Sequence, residues 1–236
     1  MAVIPLLYNG STRIGLLALA CVRPFNSEVH SASALLPCFH HCGLDCLRST
    51  TDLDRKFYMN ITLREIDNEN LRDANQCDAS FTVDSKLILH VKNSILNYSV
   101  VDVEPYRKQY IFEEQDYSGW IANPDQTVYF AYADGQLAGQ IVLKKHWNAY
   151  AWINDFAVDV EFRRQGIGRA LMQQAVDWAK KKRLPGIMLE TQNVNVPACR
   201  FYERFGFTLR GFDTYLYKGL NPDTDEIALY WYLIFL

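Results

Sequence analysis

The chain has 236 residues, a hydrophobic fraction of 49%, a charged fraction of 22% and a formal net charge of −3. These values are ordinary for a soluble globular protein with a sizeable core, and the slightly negative charge argues against a nucleic-acid partner. The sequence has no apolar run long enough for a membrane-spanning helix, so we expect no membrane partner either.

The first 58 residues show no clear pattern of secondary structure. They hold four of the six cysteines, and the cluster from Cys38 to Cys46 brings soft ligands together without a usual zinc-site spacing, so we expect no metal. The apolar run 14–22 makes a poor secretory signal. We predict that residues 1–58 are a poorly structured extension, or a translated upstream region, and that the functional protein begins at or near Met59. A chain expressed from Met59 should keep its activity and solubility, and loss of both would contradict this boundary.

From Met59 onward, apolar and polar residues alternate as they do in a sheet protein. The first predicted elements are a strand at 61–66, a short helix at 69–77, strands at 86–91 and 95–103 ended by Pro105, a helical turn and loop at 113–120, and a hairpin of 127–133 and 136–144. Asp134 and Gly135 form the hairpin turn, because this dipeptide accepts positive φ at both positions. Gly139 marks a bulge or a close neighbour.

The second half alternates strands with helices. Its predicted elements are a strand at 151–158, a helix from 165 or 166 to about 182, a strand at 187–191, a helix at 196–205 stopped by Gly206, and strands at 207–210, near 214–217 and at 226–235. A helix that connects two strands as a crossover makes those strands parallel, so 151–158 should pair in parallel with 187–191. The fold is therefore predicted to be mixed α/β.

A basic turn joins the strand at 151–158 to the following helix. The first amides of a helix lack intrahelical partners and lie at the positive end of its dipole, and Gly166 and Gly168 would let a phosphate approach them. Arg163, Arg164 and Arg169 add positive charge. The turn could bind an anion, or its glycines could merely change the chain direction. It lacks the third glycine of a dinucleotide-binding motif and the Gly-Lys-Ser/Thr of a P-loop.

Two motifs resemble the signatures of the GNAT superfamily of N-acetyltransferases. The acyl-CoA-binding motif Arg/Gln-x-x-Gly-x-Gly/Ala is filled by Arg163, Gly166 and Gly168, and the later motif Asn-x-x-Ala-x-x-x-Tyr is filled by Asn195, Ala198 and Tyr202 on one helical face. The resemblance implies an acyl-CoA N-acyltransferase fold. That fold is a mixed, mostly antiparallel twisted sheet with a central splayed parallel strand pair flanked by helices.

The same resemblance implies that acetyl-CoA is the co-substrate and lies between the splayed strands. The residues implied to bind it are Phe156, Ala157, Val158, Arg163, Arg164, Gln165, Gly166, Ile167, Gly168, Arg169, Asn195, Ala198 and Tyr202. The first three would pair with its pantetheine arm through backbone groups, and the residues of the turn would hold its pyrophosphate. Tyr202 would protonate the departing sulfur, because a phenol pKa of about 10 is comparable to that of a leaving thiol.

An attacking amine must lose a proton, so a base is expected near the acetyl group. Asp155 and Glu190 are the candidates, although carboxylates at strand ends are often only solvated, and a side-chain base is not required. Asn154 stands where relatives often carry a glutamate, which leaves the choice open. Cys199 lies off the face of the second motif and has no His/Asp partners, so a thiol nucleophile is not expected.

More specific segments resemble the streptothricin acetyltransferases, from about Met59 to Leu236. They are Glu104–Ile111, His146–Asn148, Glu190–Asn193 with Val196–Cys199, Gly211–Asp213 and Ala228–Tyr232. This resemblance implies acetylation of the β-lysine moiety of a cationic antibiotic, by direct attack in a ternary complex, and hence resistance. Carboxylates and aromatic rings suit such a small cationic substrate. The candidate substrate-binding residues are Tyr106, Glu113, Glu114, Asp116, Trp120, Trp147, Asp213 and Glu226.

Other readings stay open at this point. The acceptor could be another small polyamine, a lysine-like metabolite or an aminoglycoside, or the protein could be a noncatalytic CoA-binding regulatory module. Whether the chain forms a homodimer is also open. Beyond residue 58, Cys77 and Cys199 are far apart in sequence and imply no disulfide framework, which favours the cytoplasm.

Overall fold

The computed structural model describes residues 59–109 and 115–235. The strands in these ranges are β1 Ile61–Glu65, β2 Phe81–Lys92, β3 Ile95–Lys108, β4 Gln126–Ala133, β5 Gln136–Lys145, β6 Ala151–Val158, β7 Gly186–Gln192, β8 Thr208–Asp213 and β9 Ala228–Ile234. The α-helices are α1 Ile167–Lys181 and α2 Val196–Phe205. The predictions made for residues 1–58, including the cysteine cluster, and for Glu113 and Glu114 lie outside the described residues.

Seven strands form one sheet in the order β1-β4-β5-β6-β7-β9-β8, while β2 and β3 pair with each other as a separate ribbon. Neighbouring strands of the sheet are antiparallel except for β6 and β7, which are parallel. The predicted fold class, a mostly antiparallel mixed sheet with a central parallel pair and flanking helices, is confirmed. Within the described ranges, no helix is long and apolar enough to cross a membrane.

The parallel pair separates partway along its length. Its paired residues are Ala151 with Ile187, Trp152 with Met188 and Ile153 with Leu189. Beyond them, β6 continues to Val158 beside β5, and β7 continues to Gln192 beside β9. The two strands therefore part towards their carboxyl ends, and we call the opening between them the cleft.

A bulge in β6 determines which of its side chains lie on each face of the sheet. Val142 of β5 pairs with Asp155, but Leu143 pairs with Ile153, so Asn154 is an extra residue without a partner. Because paired residues of neighbouring strands point to the same face, Asp155 lies on the face of Val142. Phe156 lies on the opposite face.

Hydrophobic clusters cover both faces of the sheet. The larger cluster packs α1 and α2 onto one face, with Leu171, Ile167 and Trp231 almost fully buried. The smaller cluster, on the other face, joins Val142 to residues that include Tyr117 and Trp120. Each large apolar side chain buried in this way contributes about 1.5–3 kcal/mol. The sheet is thus fixed from both sides, and the cleft opens in its centre.

Asn193, the residue after β7, joins the ribbon to the sheet. It is 2% exposed, and its backbone carbonyl accepts from the Leu87 N–H at 2.9 Å. Its side-chain Nδ2 donates to the Leu87 carbonyl at 3.2 Å, and its Oδ1 accepts from the Ile227 N–H at 2.9 Å. One residue therefore fixes β2 and the entry to β9 beside the cleft.

Most predicted elements from the hairpin onward are confirmed. The Asp134 and Gly135 turn has φ values of 48° and 85°, as a hairpin of this kind requires. Gly139 has the predicted close neighbour, because a Cβ placed there would lie 2.8 Å from the Ala157 carbonyl oxygen. Helix α2 ends at Gly206, whose φ is 113°.

Three predictions about local structure were wrong. The helix expected at 69–77 is only a 3-10 helix at Leu71–Asp73, because the Asp67 carboxylate accepts from the amides of Glu69 and Asn70 and bends the chain before it. The strand expected near 214–217 is a 3-10 helix at Leu216–Gly219. There the Asp213 carboxylate accepts from the Tyr215 and Leu216 amides at 2.7 and 3.1 Å.

Pro105 does not end β3, contrary to the prediction. It lies where the pairing of β2 with β3 shifts register, between the pairs Val83 with Tyr106 and Ser85 with Asp102. A proline at such an irregular position removes no ladder hydrogen bond. The ribbon is consequently longer than predicted.

Asn193→Ala should lower the free energy of unfolding by about 2–4 kcal/mol, because it leaves the Ile227 N–H and the Leu87 carbonyl without their side-chain partners. Urea unfolding measures the change. The matched control is Asn97→Ala at an exposed position of the ribbon, where the effect should stay within about 0.5 kcal/mol. Equal losses in the two variants would contradict the joining role of Asn193.

Candidate active site

A cavity of about 730 Å³ opens beside the cleft, bounded by the ribbon, the end of β6, the amino-terminal region of α1 and one side of α2. The predicted cofactor-binding residues that line it are Phe156, Ala157, Val158, Arg163, Arg164, Gly166, Gly168, Arg169, Asn195, Ala198 and Tyr202. Gln165 and Ile167 are not in the lining. The Gln165 side chain donates to the Glu161 carbonyl at 2.9 Å, and the Ile167 side chain is buried in the core.

The turn before α1 leaves several amides available to a ligand. Arg164 and Gly166 have φ values of 63° and 93°, and the first amide of α1 with a backbone acceptor is that of Ala170, 3.0 Å from the Gly166 carbonyl oxygen. The amides from Gly166 to Arg169 have no acceptor among residues 59–109 and 115–235. They also lie at the positive end of the helix dipole. The turn can therefore bind an anion through its backbone.

Arg163 and Asp159 hold this turn in shape. The Asp159 carboxylate accepts from the amides of Glu161 and Asp78 at 3.0 and 2.9 Å. The Nε of Arg163 donates to the Val158 carbonyl at 3.1 Å, and burial lowers the pKa of its guanidinium while the charges of Asp78 and Asp159 oppose that shift. Arg163 thus links the turn to the end of β6.

Two further arginines, Arg200 and Arg204 of α2, line the cavity and were missed from the sequence. With Arg163, Arg164 and Arg169 they give five arginines in the lining, against the single carboxylate of Asp84. Arg200 and Arg204 are one helical turn apart, so their spacing could have indicated a shared face. The positive lining suits a ligand that carries several phosphates.

Tyr202 of α2 lines the cavity. It is 6% exposed, and its ring is 6.3 Å from that of Phe156 and 6.4 Å from that of Trp231. Burial raises the pKa of its hydroxyl well above the ordinary tyrosine value, and the charges of Asp155 and Glu190 contribute in the same direction. In the part of the chain that the structure describes, this hydroxyl makes no hydrogen bond and remains available to a ligand.

Asp155 and Glu190 lie on the two strands that border the cleft. Burial raises the pKa of both carboxyls above their ordinary values. The Nε2 of Gln140 donates to Asp155 Oδ2 at 2.5 Å, and the Tyr217 hydroxyl donates to Glu190 Oε1. A raised pKa makes a carboxylate a stronger base, which suits it to accept a proton from an attacking amine.

Asn195 has a structural role in addition to the predicted one. Its Oδ1 accepts from the Ala198 N–H at 3.3 Å and caps the first turn of α2. Its Nδ2 has no partner among the described residues and can still donate to a ligand. The capping bond also holds Ala198 at the edge of the cavity.

Three of the predicted substrate-binding residues, Glu226, Tyr106 and Asp213, lie on the same side of the cleft as Glu190. The charge of Glu226 contributes to the raised pKa of Glu190, and Glu226 also pairs with Lys108. Tyr106 is 46% exposed, and its raised pKa is due first to burial and then to Glu226. Asp213 caps the 3-10 helix that carries Tyr217. Glu226 is thus near both Glu190 and Tyr106, and its charge is balanced by Lys108.

The other candidates are placed differently. Trp147 is 89% exposed and lies before the first residue of β6, beside His146, which stacks on Trp152. Asp155 is three residues beyond Trp152, about 10 Å further along the strand. Trp120 is 8% exposed in the smaller cluster, and Asp116 caps its 3-10 helix through Ser118. Glu114 lies outside the described residues.

No group of three or more metal-binding side chains suitable for a metal site occurs in the described ranges. The donor groups of the cavity are instead amides and guanidinium groups, which bind anions.

Comparison with known proteins identifies the class to which this fold and site belong. The acetyltransferase (GNAT) family profile matches residues 95–207. Streptothricin acetyltransferase A of Bacillus subtilis (strain 168) is 35% identical over 167 residues, which cover 70% of this chain and 95% of that protein. The chain belongs to the GNAT family of acetyltransferases.

Two solved structures show which kinds of acetyltransferase this chain is similar to. One is a Bacillus anthracis protein assigned as a streptothricin acetyltransferase, in complex with acetyl coenzyme A. It is 46% identical to this chain, with a TM-score of 0.71, and the match covers 75% of this chain and 100% of that one. A nourseothricin acetyltransferase is 33% identical with a TM-score of 0.62, and the match covers 74% of this chain and 98% of that one.

Proposed function

We propose that the protein transfers the acetyl group of acetyl-CoA to an amino group of streptothricin, in its β-lysine moiety, and so confers resistance to this antibiotic. The observation that carries the proposal is the cleft, with Asp155 and Glu190 on its bordering strands and Tyr202 beside it in the cavity. The near-complete coverage of streptothricin acetyltransferases by this chain supports the choice of acceptor.

Acetyl-CoA binds in the cavity, with its pyrophosphate on the amides that follow Gly166 and its pantetheine arm along β6. The backbone of β6 from Phe156 to Val158 has no β7 partner, so the edge that faces β7 can pair with the amide groups of the arm. The arginines of the lining balance the phosphate charge. This arrangement directs the thioester towards Tyr202 and the cleft.

The acceptor amine enters the cleft as a neutral nucleophile and attacks the thioester carbonyl carbon. Its excess proton passes to Asp155, directly or through water, as the tetrahedral intermediate forms. When the carbon–sulfur bond breaks, the Tyr202 hydroxyl donates its hydrogen bond, and then its proton, to the departing sulfur. The raised pKa of Tyr202 keeps this hydroxyl protonated throughout the neutral range, and it makes the phenol a weaker acid than an exposed tyrosine.

Glu190, Glu226 and Tyr106 bind the cationic acceptor on the other side of the cleft. A polyamine loses its hydration shell on entering a half-buried site, and carboxylates with an aromatic neighbour compensate for that loss. Glu190 is the alternative base. Its hydrogen bond from Tyr217 and its proximity to Glu226 make it better suited to hold a positive charge.

We further propose that the protein acts in the cytoplasm, that it needs neither a metal nor a nucleic-acid partner, and that the functional chain begins near Met59. The segment from Met59 onward is long enough to contain the 167 residues that cover 95% of streptothricin acetyltransferase A, which supports this domain boundary. A homodimer is compatible with the proposal but is not required by it, because the catalytic groups named above all belong to one chain.

The direct test is release of free CoA thiol from acetyl-CoA in the presence of streptothricin, with mass spectrometry to locate the new amide. The expected result is rapid release and one acetyl group on the β-lysine amine. A panel of spermidine, lysine and kanamycin serves as the comparison. If one of these amines is acetylated faster than streptothricin, that amine is the acceptor instead. If no amine causes release of CoA thiol, the protein is a noncatalytic CoA-binding module.

Tyr202→Phe should lower kcat by about 10²-fold or more, because the departing sulfur loses its proton donor. The dissociation constant for acetyl-CoA should change little, because the ring packing is retained. Stopped-flow thiol release and calorimetry measure the two quantities. The matched control is Tyr150→Phe, whose ring packs on Tyr232 away from the cavity. An unchanged kcat in Tyr202→Phe would exclude the acid role.

A further inference from the structure

Gln140 is a buried polar residue in the middle of β5, at a position where the neighbouring residues are apolar. It is 2% exposed, and a buried amide is costly unless its donors and acceptor find partners. Its partners come from two directions. The Asn75 N–H donates to Gln140 Oε1 at 2.9 Å, and Gln140 Nε2 donates to Asp155 Oδ2 at 2.5 Å and, more weakly, to Asn75 Oδ1 at 3.4 Å.

The orientation of the Gln140 amide is fixed by its backbone partner. An N–H group can only donate, so the end of the amide that faces the Asn75 N–H must be the oxygen. The NH₂ end then faces Asp155. Asn75 adopts a left-handed conformation with φ of 62°, which asparagine tolerates better than most residues, and this turns its N–H towards Gln140.

We propose that Gln140 is a positioning residue for the base. It holds Oδ2 of Asp155 with a hydrogen bond that favours the ionised carboxylate, and it leaves Oδ1 free for the acceptor amine in the cleft. The proposal rests on the base role of Asp155 in the function proposed above. Gln140 itself touches neither substrate nor acetyl-CoA in this account.

The hydrogen bond from Gln140 matters for the charge of Asp155 because few other groups nearby, in the described ranges, stabilise the ionised carboxylate. The titratable groups that face it are Cys77, from the segment after the Leu71–Asp73 helix, Tyr117, from the smaller cluster, and Tyr202, from α2. Burial raises the pKa of Cys77 and that of Tyr117 to about 12, so neither supplies nor removes charge at neutral pH. The donors that favour the charged carboxylate are the Gln140 side chain and the Phe156 N–H.

Gln140→Met, which keeps the side-chain length but removes the donor, should raise the titration midpoint of the Asp155 carboxyl by about one pH unit. The sign follows from the loss of a hydrogen bond to the ionised form. Carbon-13 NMR of aspartate-labelled full-length protein measures the midpoint, with Asp155→Asn to assign the resonance. Gln136→Met at an exposed position of the same strand is the matched control and should leave the midpoint unchanged.

The pH profile of kcat provides a second readout. The acid limb should move to higher pH by the same amount in Gln140→Met, and kcat should return towards the wild-type value at high pH, where Asp155 is ionised again. A merely structural role would instead lower kcat at every pH. If Gln140→Met does not fold, Gln140→Glu retains the shape of the side chain and should raise the midpoint as well, because two adjacent carboxyls share a proton.

An unchanged Asp155 midpoint in a folded Gln140 variant would overturn the positioning role. The proposed base is tested separately by Asp155→Asn, which should abolish the acid limb and most of the turnover. If Asp155→Asn keeps both, the base assignment fails even where the NMR midpoint responds to Gln140. The two failures are therefore distinguishable.

Discussion

The separation of β6 from β7 is the constraint on which the rest of the site depends. Three residue pairs hold the parallel strands together, and beyond them each strand remains hydrogen-bonded only to its antiparallel neighbour in the sheet. The freed edge of β6 can then pair with a ligand instead of a strand. The extra residue at Asn154 turns Asp155 to one face while Phe156 stays on the other. On the β7 side, Asn193 fixes the ribbon and the entry to β9, so the cleft has rigid borders.

Charge is divided between the two sides of this cleft. The cavity on the helical side carries five arginines and the free amides of α1, whereas the carboxylates of Asp155 and Glu190 lie on the strands that border the cleft. An anionic co-substrate and a cationic amine are therefore attracted to different surfaces that meet at one place. Bringing two reactants together in a fixed orientation is itself a large part of catalysis by acetyl transfer.

Much of this arrangement could be predicted from the sequence, because it depends on local patterns. The Asp-Gly hairpin, the crossover helix and the capped helix that carries Tyr202 follow from residue preferences within a few positions. Gln140 could not be predicted, because a single polar residue in an apolar strand does not indicate which distant groups will satisfy it. The bulge at Asn154 depends on the register with β5, which the sequence of β6 alone does not contain.

Near the site, residue type alone does not determine where a side chain lies. Trp147 and Trp120 were predicted as aromatic residues suited to a cation; Trp147 is exposed in the segment before β6, and Trp120 is buried in the smaller hydrophobic cluster. Arg200 and Arg204 were missed because surface arginines on a helix are common. Their significance comes from the position of α2 beside the turn before α1.

The binding of acetyl-CoA to the turn before α1 is the central claim, and calorimetry on Gly166→Asp tests it most directly. Gly135→Asp is a suitable control, because both glycines have positive φ, 93° and 85°, but Gly135 lies in the exposed hairpin turn. The account predicts that Gly166→Asp weakens acetyl-CoA binding at least about tenfold, through repulsion of the pyrophosphate, while Gly135→Asp binds as the wild type does. Wild-type affinity in a folded Gly166→Asp protein would contradict it.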